Sequence, residues 1–112
     1  VTVAPDFGEA VLDLAANVPA GRATTYGDLA AVIRAVTGHG GPRQVGQVMA
    51  RSGDGVPWWR VVNARGEPAP AYRDEALARL HAEGCPLTPD RARVDLARAR
   101  WWPDLSAGPS GS

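Results

Sequence analysis

The turn-forming run Thr37-Gly38-His39-Gly40-Gly41-Pro42 limits the fold of this chain more than any other feature. Glycine takes the left-handed conformation of a helix end, and proline suits the first helical position, so the run stops one helix and starts another. Ahead of it, Leu29, Val32, Ile33 and Val36 repeat at helical spacing, and Thr25 with Asp28 three residues on gives that helix a start signal. Beyond it, Pro42 to about Arg51 reads as a short helix with Val45, Val48 and Met49 on one side. Two short helices joined by a Gly-rich turn form a helix-turn-helix candidate, a pattern that many helical pairs share.

The flanking segments extend the same plan. Asp6 and Glu9 have capping-box spacing for a first helix with the stripe Phe7, Ala10, Val11 and Leu14, ended by Val18-Pro19-Ala20-Gly21. Ser52 to Val56 reads as a loop. Trp58-Trp59-Arg60-Val61-Val62-Asn63 reads as an extended, partly buried run closed by turn residues up to Gly66. Asp74 is expected to cap a helix running through Glu83, with Ala76, Leu77 and Leu80 inward and Gly84 as its stop. Arg93 to Leu96 reads as a short strand. The expected fold is α+β and mostly helical, one domain over residues 5–104, followed by a disordered tail at 105–112 that is rich in Gly, Ser and Pro.

A chain of 112 residues holds one modest core. Its apolar stretches are too short to span a membrane, and no charged-then-apolar leader stands at Val1, so no membrane partner is expected. Cys85 has no second cysteine to pair with, which points to a reducing intracellular compartment. One Cys with the widely separated His39 and His81 makes no metal-ligand set. Cys85 follows the helix stop Gly84, at the negative end of a helix dipole that raises a thiol pKa, and reads as a small buried filler. Twelve basic residues, all Arg, balance twelve acidic ones, and bulk charge therefore argues against nucleic acid. The distribution is uneven: Arg43, Arg51, Arg60 and Arg65 face only Asp54 between Gly40 and Arg65, which allows a locally positive face.

Three segments rise above this background. They are Val18 to Ala30 (VPAGRATTYGDLA), Pro42 to Met49 (PRQVGQVM) and Val56 to Asn63 (VPWWRVVN). In this order and spacing they resemble the DNA-binding and active-site region of the O-6-alkylguanine-DNA alkyltransferases, over roughly Phe7 to Leu96. The resemblance implies a winged-helix-like helix-turn-helix domain, as in the C-terminal domain of those enzymes. The family carries Pro-Cys-His-Arg-Val, in which Cys takes the alkyl group and His is its base. Here Trp58 stands at the Cys position and Trp59 at the His position. The Glu that orients the family's His corresponds to Glu83, left with no imidazole to orient. Loss of the Cys is similar to the alkyltransferase-like proteins, although most of those keep the His.

What the resemblance implies is recognition of alkylated guanine in duplex DNA by nucleotide flipping, without catalysis and without a cofactor. Its implied partners are lesion-containing double-stranded DNA and the nucleotide excision repair proteins. The implied setting is a monomer in the bacterial cytoplasm, associated with the nucleoid when bound to DNA. Arg43 is the expected finger that fills the vacated space, a role suited to a planar, always-charged group. Gln44, Gly46 and Gln47 share its helix as expected DNA contacts, and Tyr26 is expected beside the phosphate and the flipped base. A glycine at 46 costs about 1 kcal/mol relative to Ala inside a helix, which close approach to a minor groove or tight helix packing would each explain. The expected lesion pocket comprises Tyr26, Met49, Trp58, Trp59, Val61 and Arg73, with Tyr72 as a further candidate in the loop that closes it. Two rivals stand beside this expectation. One is an alkyltransferase that uses Cys85; the other is a regulator that reads sequence in the major groove through Gln44 and Gln47.

Overall fold

The structure, a computed structural model, describes residues 7–103. The expected capping residue Asp6, the tail at 105–112 and the outer bounds of the expected domain lie outside the described residues. Among the described residues there are five α-helices and a pair of two-residue strands: α1 (Phe7–Ala16), β1 (Thr24–Thr25), α2 (Tyr26–Thr37), α3 (Pro42–Ser52), β2 (Val61–Val62), α4 (Arg73–Ala82) and α5 (Leu96–Ala99). The chain is α+β and mostly helical, with the helix-turn-helix formed by α2 and α3.

The turn works as its residues require. Gly38 takes φ 82° and its N–H donates to the Arg34 carbonyl at 2.7 Å, closing α2 in a left-handed cap. Pro42 is the first residue of α3, and the Gln44 side chain reaches back to accept the Gly41 N–H at 2.9 Å. At the start of α2, Thr25 Oγ1 accepts the Asp28 N–H at 2.9 Å. The Asp28 carboxylate does not complete a capping box. It accepts instead from Arg100 Nε at 2.9 Å and Nη2 at 2.7 Å, tying the C-terminal segment to the helix-turn-helix.

Five local expectations are corrected. Trp58–Arg60 is a turn of 3-10 helix, and only Val61–Val62 is extended, pairing in parallel with Thr24–Thr25. Pro57 starts that turn, and the Trp58 carbonyl accepts the Val61 N–H, so the chain coils before it extends. α4 starts at Arg73 with Tyr72 as its cap and no side-chain capping bond, because a 3-10 turn at Pro70–Tyr72 already leads into the helix. Arg93 to Leu96 contributes a single antiparallel bridge, Leu87 with Val94, before α5 begins. Val36 shares a face with Ile33 but is 63% exposed, where α2 runs past its neighbours, and Leu77 is only half-buried.

Two apolar clusters result. One joins α1, α2 and α3 through Val11, Leu14, Leu29, Ile33, Val45 and Met49, and the other joins Ala23, Leu80, Cys85, Val94 and Ala99. β2 is the seam between them. Successive side chains of a strand point to opposite sides, so Val61 enters the first cluster and Val62 the second. The turn just ahead of that seam follows the same division: Trp58 packs on the first cluster and Trp59 on the second.

Candidate DNA-lesion site

A cavity of about 330 Å³ opens where the start of α2, the middle of α3, the Trp58–Trp59 turn and the Pro68–Tyr72 segment converge. Its volume lies near the lower bound of the roughly 300–1,000 Å³ usual for ligand cavities. Met49 and Val61 are buried floor residues that belong to the core as well as to the cavity. Tyr26, at the first position of α2, forms part of the lining, and burial pushes its phenol pKa up, keeping the hydroxyl protonated. Trp58 and Trp59 form a wall with ring centroids 5.6 Å apart and planes at 89°, and Tyr72 lies 5.6 Å from Trp58 at 60°. Edge-to-face contact of this kind matches the ring quadrupoles and restrains both indoles.

The wall is braced from behind. Glu83 accepts Trp59 Nε1–H at 3.0 Å, Arg60 Nε–H at 3.1 and 3.2 Å to its two oxygens, and the Gly21 N–H at 3.3 Å, and it is also bonded to Arg60 Nη2. Arg60 Nη1 donates to the Val18 carbonyl at 2.8 Å. Burial pushes the Glu83 carboxyl up, but the bonds from Arg60, Trp59 and Gly21 and the Arg60 charge outweigh it and hold the pKa below the usual range. Glu83, expected to have nothing to orient, therefore holds the Trp59 indole. Arg79 of α4 stacks on the pair, with its guanidinium carbon 4.6 Å from the Trp59 centroid and 5.8 Å from that of Trp58, and pairs with Glu75 at 3.0 Å.

On α3, Arg43, Gly46, Gln47 and Ala50 follow at i, i+3, i+4 and i+7 and share a face. Arg43 and Gln47 are exposed, and Gly46 and Ala50 reach the cavity rim. A Cβ at Gly46 would meet nothing within 4 Å, so tight packing inside the protein does not explain this glycine. Gln44 Oε1 accepts the Gly41 N–H at the start of its own helix, which occupies the acceptor of a side chain that both the regulator reading and the expected DNA contacts use.

One sequence assignment changes, that of Arg73, while Cys85 is the buried filler that the sequence reading expected. Arg73 does not line the cavity: its guanidinium turns to the Ala92 carbonyl at 3.2 Å, because its place at the start of α4 directs it away, and Tyr72 takes the rim instead. Cys85 lies in the second apolar cluster, outside the cavity lining. Its thiol is pushed up to about 11 by burial and then by the Glu83 charge, the reverse of what a nucleophilic Cys needs. Sequence reasoning placed the closing loop at Asn63 to Arg73 without assigning Pro68–Ala71 individually, and it missed Arg79. Glu75 and Arg79 have the ordinary i, i+4 spacing of a solvated helix pair, and nothing in that spacing points to an indole wall.

The comparisons with known proteins agree with this geometry. The sequence profile described as "6-O-methylguanine DNA methyltransferase, DNA binding domain" matches residues 6–85. A "DNA base-flipping protein" of Escherichia coli strain K12 is 37% identical over 102 residues, covering 85% of this chain and 74% of that protein. One of Vibrio parahaemolyticus is 30% identical over 92 residues, covering 78% and 87%. The crystal structure of S. pombe Atl1 in complex with damaged DNA containing O6-carboxymethylguanine superposes with a TM-score of 0.70 at 31% identity, covering 87% of this chain and 95% of that one. A second structure, of the S. pombe ATL protein with DNA, gives a TM-score of 0.66 at 32% identity and the same coverage. With its profile match, its base-flipping relatives and its Atl1-like fold, this chain belongs to the alkyltransferase-like proteins of the 6-O-methylguanine DNA methyltransferase DNA-binding-domain family.

Proposed function

We propose that this protein recognises alkylated guanine in duplex DNA by flipping it into the cavity beside Trp58, and that it performs no alkyl transfer. The observation that carries this reading is the indole wall. Trp58 and Trp59 both line the cavity and are free of acid–base or nucleophilic chemistry, and by the sequence resemblance they stand at the positions of the family's nucleophile and base. Extruding a nucleotide costs a few kcal/mol in lost pairing and stacking. Stacking on an aromatic face returns about 1–3 kcal/mol per base. An alkylated guanine pairs poorly, so it is less costly to extrude, and its added carbon buries apolar area in the cavity. Both effects favour the lesion over guanine.

Arg43 enters the vacated space from the exposed first turn of α3, Gly46 allows the backbone close to the groove, and Gln47 and Tyr26 contact the DNA around the flipped nucleotide. The protein acts as a monomer in the bacterial cytoplasm. With no transfer step, the bound lesion is left for another activity, and nucleotide excision repair is the reading taken from the resemblance.

The test is a pair of titrations with duplexes that differ only in one O6-methylguanine, together with incubation on duplex carrying a labelled alkyl group. Preference for the modified duplex and no label on protein are expected. Equal binding of the two duplexes, or stoichiometric label on Cys85, would overturn the proposal.

A further inference from the structure

We infer that Glu83 sets the lesion preference of the cavity as a positioning residue, by clamping Trp59 so that Trp58 is held at a fixed plane against the flipped base. This rests on the damage-recognition reading and adds to it a residue that never reaches the cavity. Glu83 joins the Gly21 N–H ahead of β1 to the Trp59 indole and the Arg60 guanidinium, and Arg60 in turn holds the Val18 carbonyl just past α1. The side chains of Arg60 and Glu83 are only 16% and 15% exposed, so solvent screens the ion pair weakly.

The indole N–H has this one acceptor, and the bond fixes both the rotamer and the plane of Trp59. Arg60 at 5.2 Å and Arg79 at 4.6 Å from the Trp59 centroid add to the restraint. Trp58 has no such bond. Its orientation is set by its contact with the first apolar cluster, by Tyr72 and by the perpendicular contact with Trp59. Rotation of Trp59 therefore removes one of the surfaces against which Trp58 stands. The effect belongs to recognition and not to folding alone, because the stacking gain depends on the Trp58 plane whereas the phosphate and groove contacts of α3 do not.

The experiment measures the ratio of affinities for O6-methylguanine duplex and unmodified duplex, in the full chain, for wild type, Trp59→Phe, Glu83→Gln and the double variant. Trp59→Phe keeps an aromatic ring on the second cluster and removes the N–H together with the five-membered part of the indole, whereas Glu83→Gln leaves the indole whole, so the two variants break the same link from opposite ends. The ratio is expected to fall about tenfold in Trp59→Phe, the scale of one lost hydrogen bond to a charged group. It should fall at least as far in Glu83→Gln, and the double variant should match Glu83→Gln, since both changes break one link. A purely structural role would lower both affinities together and leave the ratio unmoved. A wild-type ratio in Trp59→Phe, or additive losses in the double variant, overturns the positioning role while leaving the damage-recognition reading intact. A wild type with no preference at all overturns both.

Discussion

Gly46→Ala should make this protein more stable and a poorer DNA binder at once. Gly46 lies inside α3, where glycine is disfavoured against alanine by about 1 kcal/mol through backbone entropy. A Cβ there meets nothing within 4 Å, so no overpacking offsets the gain. For a domain of this size, 1 kcal/mol corresponds to a rise in Tm of about 4–8 °C. Against DNA the sign reverses. The new methyl projects from the face shared with Arg43 and Ala50, at the cavity rim, and it obstructs the closest approach of helix to groove. Forcing one methyl into a close-packed contact costs about 1–3 kcal/mol, which corresponds to roughly 5- to 150-fold in affinity. Thermal melts of both proteins and titrations with modified and unmodified duplex measure the two effects. Wild-type DNA affinity in a stabilised variant would refute the close-approach argument, and a lowered Tm would refute the claim of open space.

Trp58→Ala should remove most of the preference for O6-methylguanine, a loss of about 1–3 kcal/mol on the modified duplex, and equal weakening of both duplexes would show that Trp58 serves only the core. Arg43→Ala should weaken binding to both duplexes and abolish the fluorescence rise of a reporter base at the flipped position; unchanged affinity would remove Arg43 from the finger role. Cys85, with its thiol pushed up to about 11, is about one part in a thousand thiolate at pH 8, so a thiol reagent should label it only after denaturation. Because the Glu83 carboxyl is held below its usual 4.5, it contributes stability that is complete above that value and lost as pH falls through the folded value. Urea melts of wild type should therefore weaken more steeply as pH falls below 4.5 than those of Glu83→Gln, and parallel slopes would contradict this.

Much of the helix-turn-helix was legible in the residues themselves. Gly38 and Pro42 act locally, through allowed backbone angles and a missing N–H, and their effect does not depend on what packs around them. The helical stripes of α1, α2 and α3 were legible for the same reason, since a 3.6-residue repeat of apolar side chains has one way to be buried. The Trp58–Trp59 turn was not. Its residues favour extended backbone, and the 3-10 turn depends on Pro57 and on two apolar clusters that pull neighbouring indoles to opposite sides. Glu83 could be matched to a family position, but its bond to Trp59 spans 24 residues and forms only when the C-terminal end of α4 meets the turn ahead of β2. Arg73 and Tyr72 are adjacent, and where the 3-10 turn hands over to α4 decides which of them reaches the cavity. Short-range backbone chemistry wrote the helices and their ends into the sequence, whereas the indole wall of the cavity consists of contacts between distant segments, and those exist only once the chain has packed.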